Sequence, residues 1–393
     1  MWIRSCALEC EPFRILKNVY DHREQAIENL KKSGKKIIGL LGYDVPEEVI
    51  MAAGMIPVRM WSDPNGSIAM ADKYLEYAFD PMMREKFSQI VDGRAAAWMD
   101  GLAISNSTDV IIRMYLYLRE LKRTEPELPI PKLSFIDWLF TRNRMYQERD
   151  EMLMSRFIEE MEGWCGHAIT DEMIREAGRI CNENKEVLRS VKELRQSGCP
   201  RITGCEALVI TGSAFFMDRQ EHTFLVRQVA QMAKSWPVAE GTKVFYTGSV
   251  QEFLPLYDTI ENDGLVIVDE DHDWGSRFFD RDYNLSLPPV RALADEYMLR
   301  TFSSKKAFVS QRVQALYDSV KKSGAKGVIF YNHIYEEAAS WDYPEQKKCL
   351  EGAGIPTAHF CQMPWPLTET NTLEKTLDSF YAQSSSLQSV VPI

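Results

Sequence analysis

Very few of the usual chemical signatures occur in this chain of 393 residues. There is no CxxC pair, and the eight cysteines (Cys6, Cys10, Cys165, Cys181, Cys199, Cys205, Cys349 and Cys361) are too thinly spread for a disulfide scaffold, so a reduced, cytoplasmic setting is expected. No run approaches the roughly 18 apolar residues of a membrane span. The N-terminal MWIRSCALECEPF holds no apolar stretch of a secretion signal, so neither a membrane nor a targeting step is expected. Basic residues are in deficit: 46 Lys and Arg face 57 Asp and Glu, a net charge of −11 that argues against nucleic acid as the main partner. An anionic small ligand stays open, since one local basic pocket suffices. No GxGxxG follows a strand and no Walker A sequence occurs, which speaks against dinucleotides and nucleoside triphosphates. No Ser–His–Asp set emerges from spacing.

What is present is a folded composition, 45% hydrophobic and 11% aromatic, long enough for two or three domains. The pattern of Lys36–Met60 organises the rest. An apolar run at Ile37–Leu41 reads as a buried strand, Gly42-Tyr43 as a turn, and Asp44 as an N-cap with Glu47 as its capping-box partner. A helix Val45–Ala53 is expected to stop at Gly54 before a second strand, Ile56–Met60. A strand at Gly101–Ser107, the turn Thr108-Asp109, a helix Val110–Leu121 and a strand at Pro129–Phe135 follow, which implies a parallel sheet. An amphipathic helix near Arg14–Lys32 is expected on the outside of this first lobe. Residues 137–236 are charged, Met-rich and helically periodic, with Thr170 capping one helix and a short apolar run at Ala207–Ile210.

The pattern then repeats. Lys243–Tyr246 reads as a strand, Thr247-Gly248 as a turn, Ser249 as an N-cap with Glu252 in the capping-box position, and Leu265–Val268 as the next strand. Gly327–Tyr331 is a further strand followed by a loop, Pro344 is expected to start a helix, and Ile355–Phe360 closes the series. The expected architecture is α/β: an N-terminal helical arm (1–35), a first α/β lobe (36–136), a helical insert (137–236) and a second α/β lobe (237–393). A cleft between the lobes would be lined by the turns at the strand ends.

Five polar segments are candidates for that cleft: Gly42-Tyr43-Asp44, Ser105-Asn106-Ser107-Thr108, Thr247-Gly248-Ser249, Asn332-His333, and Asp269–Arg277. Asp269, Asp271, His272 and Asp273 are of metal-ligating type, but the spacing is generic and fits a solvated acidic loop better. His333 could act as acid or base. Cys6 and Cys10 read as unrelated thiols. No residue is assigned as a metal ligand. From the residues alone the chain is an anion-tolerant cleft between two lobes, with no reaction specified.

Three segments resemble one family. VPEEVIMAAGMIPVRM (Val45–Met60), GSVQEF with IENDGLVIVDEDHDWGSRFF (from Gly248 to Phe279) and KGVIFYNHIYEEAASWDYPEQKKCLEGAGIP (Lys326–Pro356) are similar, in order, to motifs of the 2-hydroxyacyl-CoA dehydratase and ATP-dependent benzoyl-CoA reductase D-type subunits. The resemblance runs from about Lys36 to Phe380. It implies two Rossmann- or flavodoxin-like parallel-sheet lobes, a heterodimer of homologous subunits, and a CoA thioester as substrate. It also implies a [4Fe–4S] cluster on three cysteines, fed with an electron by an ATP-hydrolysing activator, that makes a ketyl radical anion of the thioester. The three cysteine positions correspond here to Gly42, Thr108 and the neighbourhood of Glu336, none of which offers a thiolate. The expectation is a cluster-free subunit beside a cluster-bearing homologue. Tyr43, Asn106, Ser107, Thr108, Ser249, Trp274, Arg277, Asn332 and the backbone of Gly42 are then the candidate substrate contacts, and His333, Asp273 and Glu336 the candidate acid–base groups. Arg113, Arg291 and Arg312 are further anion-binding candidates. The alternatives are a stand-alone enzyme working on acyl-CoA by acid–base chemistry, and a non-catalytic binding or regulatory homologue.

Overall fold

The computed structural model describes residues 3–141, 143–196, 198–262, 264–300, 306–367 and 371–386. Strands β1 (Ile37–Leu41), β2 (Ile56–Arg59), β3 (Gly101–Ser105) and β4 (Lys132–Ile136) form one sheet. Strands β5 (Thr242–Gly248), β6 (Leu265–Asp271), β7 (Gly327–His333) and β8 (Thr357–Met363) form another. Every pairing is parallel, and the orders β2-β1-β3-β4 and β6-β5-β7-β8 are the same order twice. The α/β architecture with two parallel-sheet lobes is therefore as expected. All five positions of β1 and of β3 are buried, because helices cover both faces of the sheet and leave no solvated side to alternate with.

Side chains alternate between two cores in each lobe. In the first, Ile38, Leu40 and Ala103 face a cluster with Val49, Phe157 and Tyr297, while Leu41, Leu102 and Ile104 face Phe87, Ile90 and Met114. In the second, Phe245, Val266 and Phe330 pack on Leu316 and Leu350, while Val244, Ile267 and Tyr331 join the largest cluster of the molecule. That cluster also takes in Phe13, Leu16 and Tyr20. The N-terminal arm thus packs on the helices Gly204–Ser213 and Arg219–Ala233 and shares a core with both lobes, where it was expected on the outside of the first alone. The single helix expected near Arg14–Lys32 is two, Glu11–Asp21 and Arg23–Lys31, with a break at His22. The run Ala207–Ile210 is helical, inside Gly204–Ser213, which Thr203 and Glu206 close with a capping box.

Both capping boxes expected at the first turns fail, for one reason. The helix after β1 is Glu47–Ala52, because Val45 precedes a proline and Pro46 itself is extended with ψ 96°. Asp44 is fully buried and meets Lys306 Nζ at 2.6 Å. In the second lobe the helix starts only at Pro255 (Pro255–Asn262), and Glu252 faces the first lobe. One Glu252 oxygen pairs with Lys86, and the other accepts the Ser62 N–H at 2.7 Å. These carboxylates join the lobes by charge and leave their own helix ends alone. Several boundaries also move. β6 runs through Asp271, since its pairing with β5 continues to Thr247–Asp271, and β7 runs through His333, since its pairing with β8 continues to His333–Met363. Pro344 lies inside the helix Glu337–Gly352, where its missing N–H costs one bond of the ladder. Among the described residues, no helix is long and apolar enough to cross a membrane.

Candidate functional site

In each lobe the strand order reverses between the first and third strands, so the connections leave on opposite faces and a crevice opens beyond the strand ends. The first turn is stitched tightly to β3. Gly42 has φ 96°, and a Cβ there would stand 2.3 Å from Ser105 Oγ and 2.7 Å from Ser107 Oγ. Tyr43 N–H donates to Ser107 Oγ at 3.1 Å, and the two serine hydroxyls lie 2.6 Å apart. Arg300 Nη1 donates to Tyr43 O at 2.7 Å. Asn106 is turned toward β4, donating to Asp137 Oδ1 at 2.8 Å and Trp138 O at 2.9 Å. Thr108 caps the helix Asp109–Thr124 through its hydroxyl.

The second lobe repeats the glycine. Gly248 has φ 123°, and a Cβ there would meet Tyr331 O at 2.1 Å. Ser249 is fully buried; its hydroxyl accepts the His333 N–H at 2.8 Å and donates to Glu336. The turns of both lobes open on one cleft of about 740 Å³, lined by Tyr43, Ser107 and Thr108 from the first lobe and by Gly248, Asp273, Arg277, Asn332 and Glu336 from the second. Tyr77 and Tyr335 face each other across its mouth with ring centroids 5.9 Å apart. Gly42, Asn106 and Ser249 sit behind this lining and shape it. Trp274 does not belong to it: it is 2% exposed, packed on Phe215 and Phe216 and under the Arg23 guanidinium. The aromatic in DHDWGSR points into the core because β6 carries the chain inward as far as Asp271.

Acidic side chains outnumber basic ones on the wall of the cleft. Seven carboxylates line it, against three guanidinium groups. Each guanidinium already holds an acid: Arg113 pairs with Glu76, Arg312 with Asp342, and Arg277 donates to Asp271 at 2.6 Å and to Asp273 at 3.4 Å. Burial works against the charge on Arg277, but Asp271 and Asp273 outweigh it and hold the group protonated. Arg291 lies elsewhere, on Glu151 and Asp295. The acidic run itself does not converge on an ion. Asp269 takes Lys192 and Ser276, Asp271 and Asp273 take Arg277, and His272 is fixed between Tyr257 Oη at 2.8 Å and the Trp274 N–H at 3.2 Å. Burial lowers His272 to about 4, so it is neutral, accepts at Nδ1 and donates from Nε2 to Tyr257.

A different set does converge. Asp80, His333 and Glu336 each offer a ligand-type atom, all within 4.8 Å of one another. Asp80 heads the helix Pro81–Val91, where its Oδ1 accepts the Met83 N–H at 2.8 Å. Burial raises Asp80 to about 6; burial, with the like charge of Asp80, raises Glu336 to about 7. Burial lowers His333 to about 4. Near neutral pH, Glu336 is therefore poised to give or take a proton, while His333 is neutral and can accept a proton or hold a metal but has none to give as an imidazolium. Asn332 Nδ2 and His333 Nδ1 are buried with no hydrogen-bond partner among the described residues. The sequence reading missed Asp80. Its Asp-Pro signal is that of a helix cap, which it also is, and nothing in spacing ties it to β7.

The thiolate-held cluster that the resemblance implies does not fit this donor set. Gly42 has no room for a Cβ, the Thr108 hydroxyl caps a helix, and Glu336 is a carboxylate. No cysteine lines the cleft, and the arm does not bring Cys6 or Cys10 to it; Cys10 is buried with its sulfur 3.5 Å from that of Met232.

Comparison with known proteins adds the following. A family model described as 2-hydroxyglutaryl-CoA dehydratase, D-component, matches residues 43–361. The chain is similar to the (R)-phenyllactyl-CoA dehydratase beta subunit of Clostridium sporogenes, 27% identical over 88% of this chain and 91% of that protein. It is also similar to the (R)-2-hydroxyglutaryl-CoA dehydratase subunit beta of Acidaminococcus fermentans, 25% identical over 83% and 86% of the two chains. A benzoyl-CoA reductase subunit of Thauera aromatica is 21% identical over 75% and 77%.

Proposed function

Because the chain belongs to the 2-hydroxyglutaryl-CoA dehydratase D-component family, we propose that it is one subunit of a 2-hydroxyacyl-CoA dehydratase or benzoyl-CoA reductase-like complex and supplies half of an acyl-CoA site without a [4Fe–4S] cluster of its own. The observation that carries this reading is the single cleft shared by the switch-point turns of both lobes, with no thiol on its wall. A homologous subunit then bears the cluster and receives electrons from an ATP-hydrolysing activator. This chain's own residues bind and orient. Arg277, charged and held in place by Asp271 and Asp273, takes a phosphate or carboxylate oxygen of the thioester. Asn332 Nδ2 donates to a substrate oxygen, and the Tyr43, Ser107 and Thr108 side chains shape the first-lobe wall.

Purification from the native host tests the reading. The expected result is co-elution with a homologous subunit, iron and sulfide being found only when that subunit is present. A stoichiometric [4Fe–4S] cluster on this chain alone overturns it. Arg277→Ala is expected to weaken binding of a CoA thioester by about tenfold or more, the value of a hydrogen bond to a charged group; unchanged affinity with an intact circular dichroism spectrum removes the assignment of Arg277. One observation favours a second reading, an acid–base enzyme in its own right: Asp80, His333 and Glu336 converge at the cleft, where burial and the neighbouring Asp80 raise the Glu336 carboxyl to about 7. Turnover of an acyl-CoA by the isolated chain, abolished in Glu336→Gln, would establish it in place of the first.

A further inference from the structure

We infer that Asp80, His333 and Glu336 form a binding site for a single first-row divalent transition-metal ion, held between the lobes with its open coordination positions toward the cleft. The sequence assigned no metal ligand, and the inference does not depend on an acyl-CoA occupying the same cleft.

Geometry comes first. The three ligand-type atoms lie within 4.8 Å of one another. An ion bound at ~2.1 Å to each holds its ligands roughly 3.4 to 4.2 Å apart, so small side-chain rotations close the set. Both lobes contribute, Asp80 from the first and His333 and Glu336 from the second. Each carboxylate is already oriented through one oxygen, Asp80 by the Met83 N–H and Glu336 by the Ser249 hydroxyl, which is the outer support metal-binding carboxylates need.

The second observation is the histidine. His333 is 3% exposed, and its Nδ1 finds no hydrogen-bond partner among the described residues, although buried ring nitrogens are ordinarily satisfied. A cation within reach of all three ligand-type atoms would take an imidazole lone pair and offset the two neighbouring carboxylates. Protein cations near the pair are engaged elsewhere: Lys86 on Glu252, and Arg277 on Asp271 and Asp273. One imidazole and two carboxylates suit a borderline ion such as Zn²⁺, Fe²⁺, Co²⁺ or Mn²⁺ better than a soft, thiolate-seeking one. Three protein ligands with a position left open is the arrangement of reactive sites; closed structural sites use four.

The test uses the full chain freed of metal by a chelator and titrated with Co²⁺ at pH 7.5, followed by visible absorption, then with Zn²⁺ as competitor. The expected result is one Co²⁺ per chain with ligand-field bands that Zn²⁺ abolishes. Asp80→Asn and Glu336→Gln keep the shape of their side chains and are each expected to weaken Co²⁺ binding by about tenfold or more. His333→Ala is expected to remove it, and His167→Ala, outside the cleft, to leave it unchanged. Absence of saturable binding, or one-to-one binding with equal affinity in folded Asp80→Asn and Glu336→Gln chains, overturns the inference.

Discussion

The two lobes share strand order, parallel pairing and a left-handed glycine at the end of the central strand, yet they use the turn after that glycine in opposite ways. In the first lobe the turn is tied off: Lys306 neutralises Asp44, Arg300 takes the Tyr43 carbonyl, and two serine hydroxyls hold the backbone. In the second, Ser249 gathers its hydrogen bonds from its own lobe, from the His333 N–H and to Glu336. Among the described residues, buried polar atoms without a partner occur beside both turns, Asp44 Oδ2 in the first lobe and Asn332 Nδ2 and His333 Nδ1 in the second. One topology has thus produced a wall braced by charges from the other lobe and a wall braced from within its own. Fold alone would have made them equivalent; the polar residues after each glycine made them different.

The comparison breaks most severely at the first-lobe wall. Lys306→Met leaves Asp44 buried without its cation, and a loss of about 3–5 kcal/mol is expected in urea unfolding. Asp44→Leu in the same chain should restore much of it; a single-mutant loss under about 1 kcal/mol would show that the turn is not held by charge. Next come the glycines. Alanine at Gly248 must push aside the Tyr331 backbone, whereas at Gly42 it meets mainly serine hydroxyls. Gly248→Ala should therefore cost about 3 kcal/mol and Gly42→Ala about 2, from strain and overpacking together. Equal costs would mean that the two turns relax alike.

On the second-lobe wall the effect depends on pH. The folded Glu336 carboxyl titrates at about 7, above its unfolded range, so the stability that its neutral form contributes is complete below about pH 4.5 and lost as pH rises through 7. Glu336→Gln should match the parent chain near pH 4.5 and exceed it by about 2 kcal/mol at pH 8, allowing for partial exposure. A pH-independent difference contradicts the shift. The smallest effect is expected for Ser249→Ala, about 1 kcal/mol, the worth of a neutral hydrogen bond. Its more telling readout is a change in the Glu336 titration followed by infrared absorption of the carboxyl.

Strands and switch-point turns were legible in the sequence because buried parallel strands read as unbroken apolar runs and the turns end in glycine. The helix starts were not. Asp44 with Glu47 and Ser249 with Glu252 have the spacing of capping boxes, but a buried carboxylate paired across the molecule has the same local sequence as one that caps a helix. Trp274 was misplaced for a similar reason, since a polar run does not reveal which of its members turns inward. Asp80 joins His333 only through the docking of two lobes, and that juxtaposition leaves no periodicity to read.

Glu252 has a consequence for the order in which the chain folds. All four strands of the first sheet precede it in the sequence, yet the Ser62 amide and the Lys86 ammonium both depend on its carboxylate. A first half made alone lacks the acceptor for both groups, so an early, independently formed lobe would keep the Ser62 amide and the Lys86 ammonium in water. Long-range partners of this kind slow folding and couple its halves. In pulsed hydrogen exchange during refolding, protection of the Ser62 amide is therefore expected to arrive with that of β5 and later than that of β1; protection simultaneous with β1 would show the first half closing by itself.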